Sequence, residues 1–363
     1  MLARLLVLVC LCALPAQAQD ALAPLREAWL PQGAPEARTA LAAGRLEEAL
    51  AHARRDQDRL GEAYLSARLG LAAEQPERAA ELLEAALAAL GSDFPTVRLY
   101  LLQELSARQV LTGRLDRAEG SLRLALELAP PGAARGLVLK SLGNCLSDQG
   151  RTDDSEKAYR EALEIFAGAG EAEQTGACRQ NLALLDMERG RYPAACKELE
   201  EVRAEFLRLG LPLRAADVEA NLGLAYARLG RAREAEAAYR SAVERLRELP
   251  DRAGVVWLNL ANLYLTQRRL ADSLVALGNA ETCFRSVGAR VRLAHVREAR
   301  ALVLFEQARM REAIPLLEEA LSEFRALGLE ERAAVVMGNL ALSYVHLGQL
   351  EQAERSVRAC QEI

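Results

Sequence analysis

A chain that repeats itself at a fixed interval has few folds open to it, because each unit must bury its apolar face on a copy of itself. Here the repeat is plain. NLGLAYARLGRAREAEAAYRSAV starts at Asn221, NLALSYVHLGQLEQAERSV at Asn339 and NLALLDMERGRYPAACKEL at Asn181. Alignment on the residue between the two halves of each unit gives nine turn positions, Gly44, Glu74, Gly113, Gly150, Gly190, Gly230, Arg268, Ala308 and Gly348. The intervals are 30, 39 and 37 residues, then 40, 40, 38, 40 and 40, so the register is loose at the start and tight from Gly150 onward.

Two columns of small residues run through these units. Five residues after the turn stand Ala49, Ala79, Ala118, Ser155, Ala195, Ala235, Ser273, Ala313 and Ala353, and seven before it stand Ala37, Ala67, Ser106, Gly143, Ala183, Gly223, Ala261, Ala301 and Ala341. Helices approach closely only where neither side chain props them apart, so these columns mark the crossing of two helices within each unit. Leucines eight before the turn (Leu142, Leu182, Leu222, Leu260, Leu340) and tyrosines four before it (Tyr226, Tyr264, Tyr344) share one inward face by their i, i+4 spacing. The composition agrees: 51% apolar, only 4% aromatic and rich in Ala, Leu, Arg and Glu, it suits close-packed helices and suits strands poorly.

These motifs resemble the tetratricopeptide repeat family, whose first helix carries leucine, a small residue and tyrosine, and whose second carries alanine, an aromatic and alanine. Ala235, Tyr239 and Ala242 supply the second set, and Ser155, Tyr159 and Ala162 supply it again. The period here is longer than the usual ~34 residues. The second helix runs on to endings such as Phe206–Gly210 and Phe324–Gly328, with Phe284–Gly288 close to them. That longer form is similar to the repeats of kinesin light chains, Pins-type adaptors and bacterial signalling regulators. The resemblance runs from about Ala34 to the C-terminus and implies an all-α, right-handed superhelical solenoid of about nine hairpins with a concave groove. Its regular part is expected from about residue 137, with looser repeats over 34–136.

The first eighteen residues read differently: Arg4, an apolar run from Leu5 to Leu14, Pro15, then the small-residue triplet Ala16, Gln17, Ala18. That is a secretory signal layout, too short in its apolar run to span ~30 Å of hydrocarbon, and cleavage after Ala18 is expected. It predicts a periplasmic or secreted protein without membrane insertion after cleavage. Neither Cys10 nor Cys12 has the preceding small residue of a lipid-attachment site. The remaining Cys145, Cys178, Cys196, Cys283 and Cys360 are odd in number with no C-x-x-C spacing, which implies no disulfide framework and no zinc knuckle.

Little points to chemistry. The formal charge of −5 is small, and no basic stripe interleaved with aromatics is present, so nucleic acid is not an expected partner. None of the lysines, Lys140, Lys157 and Lys197, follows a phosphate-loop pattern, and His52, His295 and His346 lack the spacing of a metal site. No nucleophile elbow occurs. The expected protein is non-enzymatic, without cofactor or metal.

The candidate site is a polar column. Nine residues before the turn stand Asn181, Asn221, Asn259 and Asn339, in the helix that lines the concave side in the resembling family. Asn is a poor helix former, and its amide both donates to and accepts from a peptide backbone. The column can grip an extended segment, or it can bond between helices and only fix repeat spacing. Ser141 and Ala299 interrupt it. Beside Ser141, Lys140 and Asn144 have a spacing similar to part of the carboxylate clamp of tetratricopeptide co-chaperones. Asn262, Arg228, Asp217, Gln180 and Glu298 complete a lining of mixed charge. The reading is a scaffold for a protein or peptide ligand. Its alternative is a sensory or regulatory module of a bacterial enzyme or protease system whose catalytic part is separate. The ninth unit's second helix reaches Ile363 with no polar capping helix after it, which allows self-association through that end.

Overall fold

The computed structural model describes residues 15–361, so the apolar run from Leu5 to Leu14, on which the expected leader rests, and the last two residues lie outside the described residues. Every regular element among the described residues is an α-helix. After α1 (Pro15–Trp29) come successive pairs: α2 (Pro35–Ala42) and α3 (Leu46–Arg55), α4 (Arg59–Ala72) and α5 (Pro76–Leu90), α6 (Pro95–Leu111) and α7 (Leu115–Leu128), α8 (Ala133–Asp148) and α9 (Thr152–Ala169). The series continues with α10 (Ala172–Glu188) and α11 (Tyr192–Arg208), α12 (Pro212–Arg228) and α13 (Ala232–Arg245), α14 (Pro250–Thr266) and α15 (Leu270–Ser286). It closes with α16 (Arg290–Glu306) and α17 (Met310–Ala326), then α18 (Glu330–His346) and α19 (Leu350–Gln361). Two compact units divide the chain at Glu188. Within each, hairpin partners pack on one another, and each second helix packs on the first helix of the next pair.

The turn positions explain the changing intervals. Gly44, Gly113, Gly150, Gly190, Gly230 and Gly348 all hold positive φ, between 71° and 76°, a conformation open to glycine without a Cβ penalty. Arg268 and Ala308 adopt it too, at φ 58° and 59°, at a cost of about 1 kcal/mol each. Glu74 does not: extended Ala73 and Gln75 flank it, and Pro76 starts α5 directly. The interval of 30 residues reflects the short α3, with 10 residues against the 17 or 18 of α9, α11, α15 and α17. The interval of 38 reflects α13, whose 14 residues end at Arg245.

The small columns are fitted to their partners one for one. A Cβ added to Gly143 would meet the Tyr159 ring at 2.5 Å, and one added to Gly223 would meet the Tyr239 ring at 2.5 Å. Those are the two hairpins with tyrosine nine residues after the turn; where Leu277 or Leu317 stands there, the small position is Ala261 or Ala301. Where Ser replaces Ala after the turn, its hydroxyl bridges the helices: Ser155 Oγ donates to the Gly143 carbonyl at 2.7 Å and Ser273 Oγ to that of Ala261 at 2.8 Å. Sixteen residues after the turn, Phe166, Phe206, Phe284 and Phe324 are fully buried, each contributing roughly 1.5–3 kcal/mol of transfer free energy.

The inward tyrosines tie neighbouring hairpins together. Tyr226 donates to Glu200, Tyr264 to Glu236 at 2.8 Å and Tyr344 to Glu318 at 2.9 Å, each acid standing on the preceding second helix. Arg231 and Arg269 lie over the Tyr226 and Tyr264 rings, 4.5 and 4.2 Å from their centroids. Cys145, Cys178 and Cys196 are buried and unbridged, and burial pushes the thiols of Cys145 and Cys178 up to about 11. They act as small apolar side chains.

Candidate functional site

The first helices α8, α10, α12, α14, α16 and α18 each carry one stripe formed by the positions 16, 13, 9, 6 and 2 residues before the turn. Those positions recur at i, i+3, i+4 and i+7, so they share a helix face. All the predicted groove residues but Lys140, Gln180 and Glu298, which stand one position aside at the level of the ninth, lie on it.

In the first unit the polar groups hold one another. Asn144 Oδ1 accepts from the Tyr159 hydroxyl at 2.6 Å and from Asn181 Nδ2 at 3.0 Å, so one amide joins α8, α9 and α10. Burial raises the Tyr159 pKa, which keeps the hydroxyl a donor at neutral pH. Lys140 Nζ donates to Gln174 Oε1 at 2.6 Å, bridging α8 to α10. The clamp-like pair Lys140 and Asn144 is thus already engaged between helices.

The second unit differs. Asn221 is 2% exposed and its Oδ1 has no hydrogen-bond partner; Asn259, half-buried one repeat later, has a buried Nδ2 without one. The reason for the second is legible in the register. In the hairpin before Asn259, the position equivalent to Asn144 is Leu224, which offers no acceptor. Asn262 and Asn339 are half-buried on the same stripe and Arg228 is exposed. A buried amide atom left unpaired costs about 1–3 kcal/mol, so each of these two would gain from a hydrogen-bonding partner that a small shift of the surrounding side chains lets in.

Sequence reading missed a second column. Sixteen before the turn stand Arg214, Arg252, Arg292 and Arg332, each the third residue of its helix. Arg252 pairs with Asp217 and also donates to the Leu213 carbonyl at 3.0 Å. Arg332 pairs with Glu298 at 2.6 Å. Burial raises the pKa of Asp217 and Glu298, with the arginines opposing it. Arg292 lies 5.9 Å from the Phe284 ring centroid, and burial lowers its pKa. His295 Nδ1 sits 2.8 Å from the Val291 carbonyl, edge-on to Phe324; burial, with Arg332 and Arg292 adding to it, depresses its pKa. The column was discoverable by carrying the alignment seven residues upstream of the Asn positions. Among the described residues no group of three His, Cys, Asp or Glu side chains is placed to hold a metal ion.

Models of the tetratricopeptide repeat match residues 132–206 and 220–245. These two stretches carry tetratricopeptide repeats. No curated protein matches it in sequence. Its fold is similar to that of the quorum sensor NprR from B. thuringiensis in the apo form, with a TM-score of 0.65, 14% identity and coverage of 95% of this chain and 99% of that one. It is similar also to a Rap protein complexed with competence and sporulation factor (TM-score 0.63, 14% identity, 95% and 97% covered). A third is the Rap conjugation gene regulator of plasmid pLS20 in complex with the Phr* peptide (TM-score 0.60, 12% identity, 90% and 95% covered). At such identities the likeness concerns the fold alone. No described helix is long and apolar enough to cross a membrane.

Proposed function

We propose that this repeat protein is a non-enzymatic scaffold that holds an extended peptide, or an extended segment of a partner domain, along the first-helix stripe of its second unit. The observation that carries the reading is the pair of unpartnered amide atoms, Asn221 Oδ1 and Asn259 Nδ2, one an acceptor and one a donor in adjacent repeats. A peptide backbone presents both complements at every residue. A protein of similar fold was solved in complex with the Phr* peptide, which supports a peptide as the ligand class.

The working compartment belongs to the same proposal: removal of a leader ending at Ala18 would deliver the protein to the periplasm or the medium. N-terminal sequencing of the mature protein should begin at Gln19, which would remove the first residues of α1 and leave the buried Leu22, Leu25 and Trp29 in place. For binding, affinity capture from the native host should recover a partner with the parent protein and lose it with the Asn221→Ala/Asn259→Ala double variant at unchanged helicity. Undiminished capture by that variant would overturn the assignment of the stripe.

A further inference from the structure

Four arginines at the third residue of four successive first helices run against the helix dipole. The N-terminal turn carries partial positive charge and favours acidic side chains, so each Arg214, Arg252, Arg292 and Arg332 is placed where a cation is least welcome. The fold offsets this by supplying acids from the preceding first helix. Asp217, thirteen before its turn on α12, takes Arg252 on α14; Glu298, ten before its turn on α16, takes Arg332 on α18.

At Arg292 that supply fails. The two equivalent positions on α14 are Val255 and Leu258, both apolar. The acid whose field reaches Arg292 is Asp251, without an ion pair between them. Its other neighbours are the Phe284 ring and, by charge, His295. A half-buried guanidinium between a phenylalanine and a histidine lacks the carboxylate that both paired members of its column have.

The stripe around it is apolar and open. Leu302 and Leu342, six before their turns, and Val335, thirteen before its turn, are exposed at 37%, 56% and 48%. Asn259 Nδ2, on the helix before Arg292, is the unpartnered donor described above. We propose that Arg292 receives the carboxylate of an acidic residue in a peptide lying along this stripe, with neighbouring apolar side chains of the peptide over Leu302, Val335 and Leu342. The ligand class is therefore an extended peptide in which acidic and apolar residues alternate or interleave. This rests on the peptide-binding reading and adds its charge specificity.

The test uses the full mature chain and two fluorescein-labelled decapeptides, (Glu-Leu)5 and (Gln-Leu)5, followed by fluorescence anisotropy. The glutamate peptide should bind at least ~10-fold more tightly, the scale of one charge-assisted pair. Arg292→Gln should remove that preference while leaving the weaker affinity for the glutamine peptide in place. Val255→Asp supplies from within the carboxylate that Arg292 lacks, as Asp217 does for Arg252, and should remove the preference as well without loss of thermal stability. Equal affinity for the two peptides, or a preference that survives both substitutions, overturns the role of Arg292 and leaves the scaffold reading standing. Binding of neither peptide overturns both.

Discussion

The same residue type at the same repeat position does two different things in the two units. In the first unit Asn181 closes a three-helix junction with Asn144 and Tyr159, and every polar atom of that junction that could be stranded has a partner. In the second, Asn221 and Asn259 occupy the equivalent column with amide atoms buried and unpaired. For Asn259 the difference lies in the residue six before the preceding turn, Leu224 where Asn181 has Asn144. A column of asparagines is therefore not one device. Where the neighbouring hairpin offers an acceptor the amide donor is paired, as at Asn181, and where it offers leucine the donor is left unpaired, as at Asn259.

The largest expected effect is one the two units should share. Gly143→Ala and Gly223→Ala each drive a Cβ into a buried tyrosine ring and should cost about 1–3 kcal/mol by chemical denaturation. Tyr159→Leu and Tyr239→Leu should restore most of it, matching the hairpins that carry Leu and Ala. A cost confined to one unit would show that the hairpins are not equivalent scaffolds. The asparagines should then separate. Asn144→Ala strands the Tyr159 hydroxyl and Asn181 Nδ2 and should cost about 2 kcal/mol, seen as faster amide exchange in α8 and α10. Asn221→Ala and Asn259→Ala remove atoms that have no partner and should each change stability by less than about 1 kcal/mol. Equal costs at Asn144 and Asn259 would break the distinction.

Leu224→Asn rebuilds the acceptor of the first unit inside the second. Its coupling with Asn259→Ala in a double-mutant cycle should be about 1 kcal/mol, with weaker ligand capture by the Leu224→Asn protein. The smallest effect concerns Glu104 on α6, nine residues before the Gly113 turn. Burial raises its pKa, with Arg108 3.9 Å away as a weak counterweight. A carboxyl with a raised folded pKa binds its proton more tightly folded than unfolded, so stability falls as pH rises from the ordinary glutamate range through the folded value. Glu104→Gln should flatten that slope and add up to about 1 kcal/mol at pH 7. Melting temperatures of parent and variant that run parallel from pH 4 to pH 7 would remove Glu104 as its source.

Much of this was legible beforehand. The nine turns and the two small columns follow from periodicity, because close helix crossing admits only small side chains and a tight turn favours glycine. The fit of Gly143 and Gly223 to tyrosine was written in the alignment as well, as a correlation between two columns. The site was half legible. The asparagines stood out as poor helix formers in register, but their hydrogen bonds depend on what the neighbouring helix brings within 3 Å. The arginine column stayed hidden because arginine is common in this chain, with only 3 lysines among 46 basic residues, and a frequent residue in register draws little notice.

Sequence by itself determined the repeat, the helical class and which residues share the first-helix face, since these depend on spacing along one chain. Tertiary structure alone decided which polar groups on that face are satisfied. Whether Asn144 and Asn181 meet, whether Arg252 and Arg332 find Asp217 and Glu298, and whether Arg292 lacks such a carboxylate and Asn259 Nδ2 an acceptor are matters of distance between helices about forty residues apart. The free energy of a buried polar group turns on that single contact, being small when it is made and large when it is not.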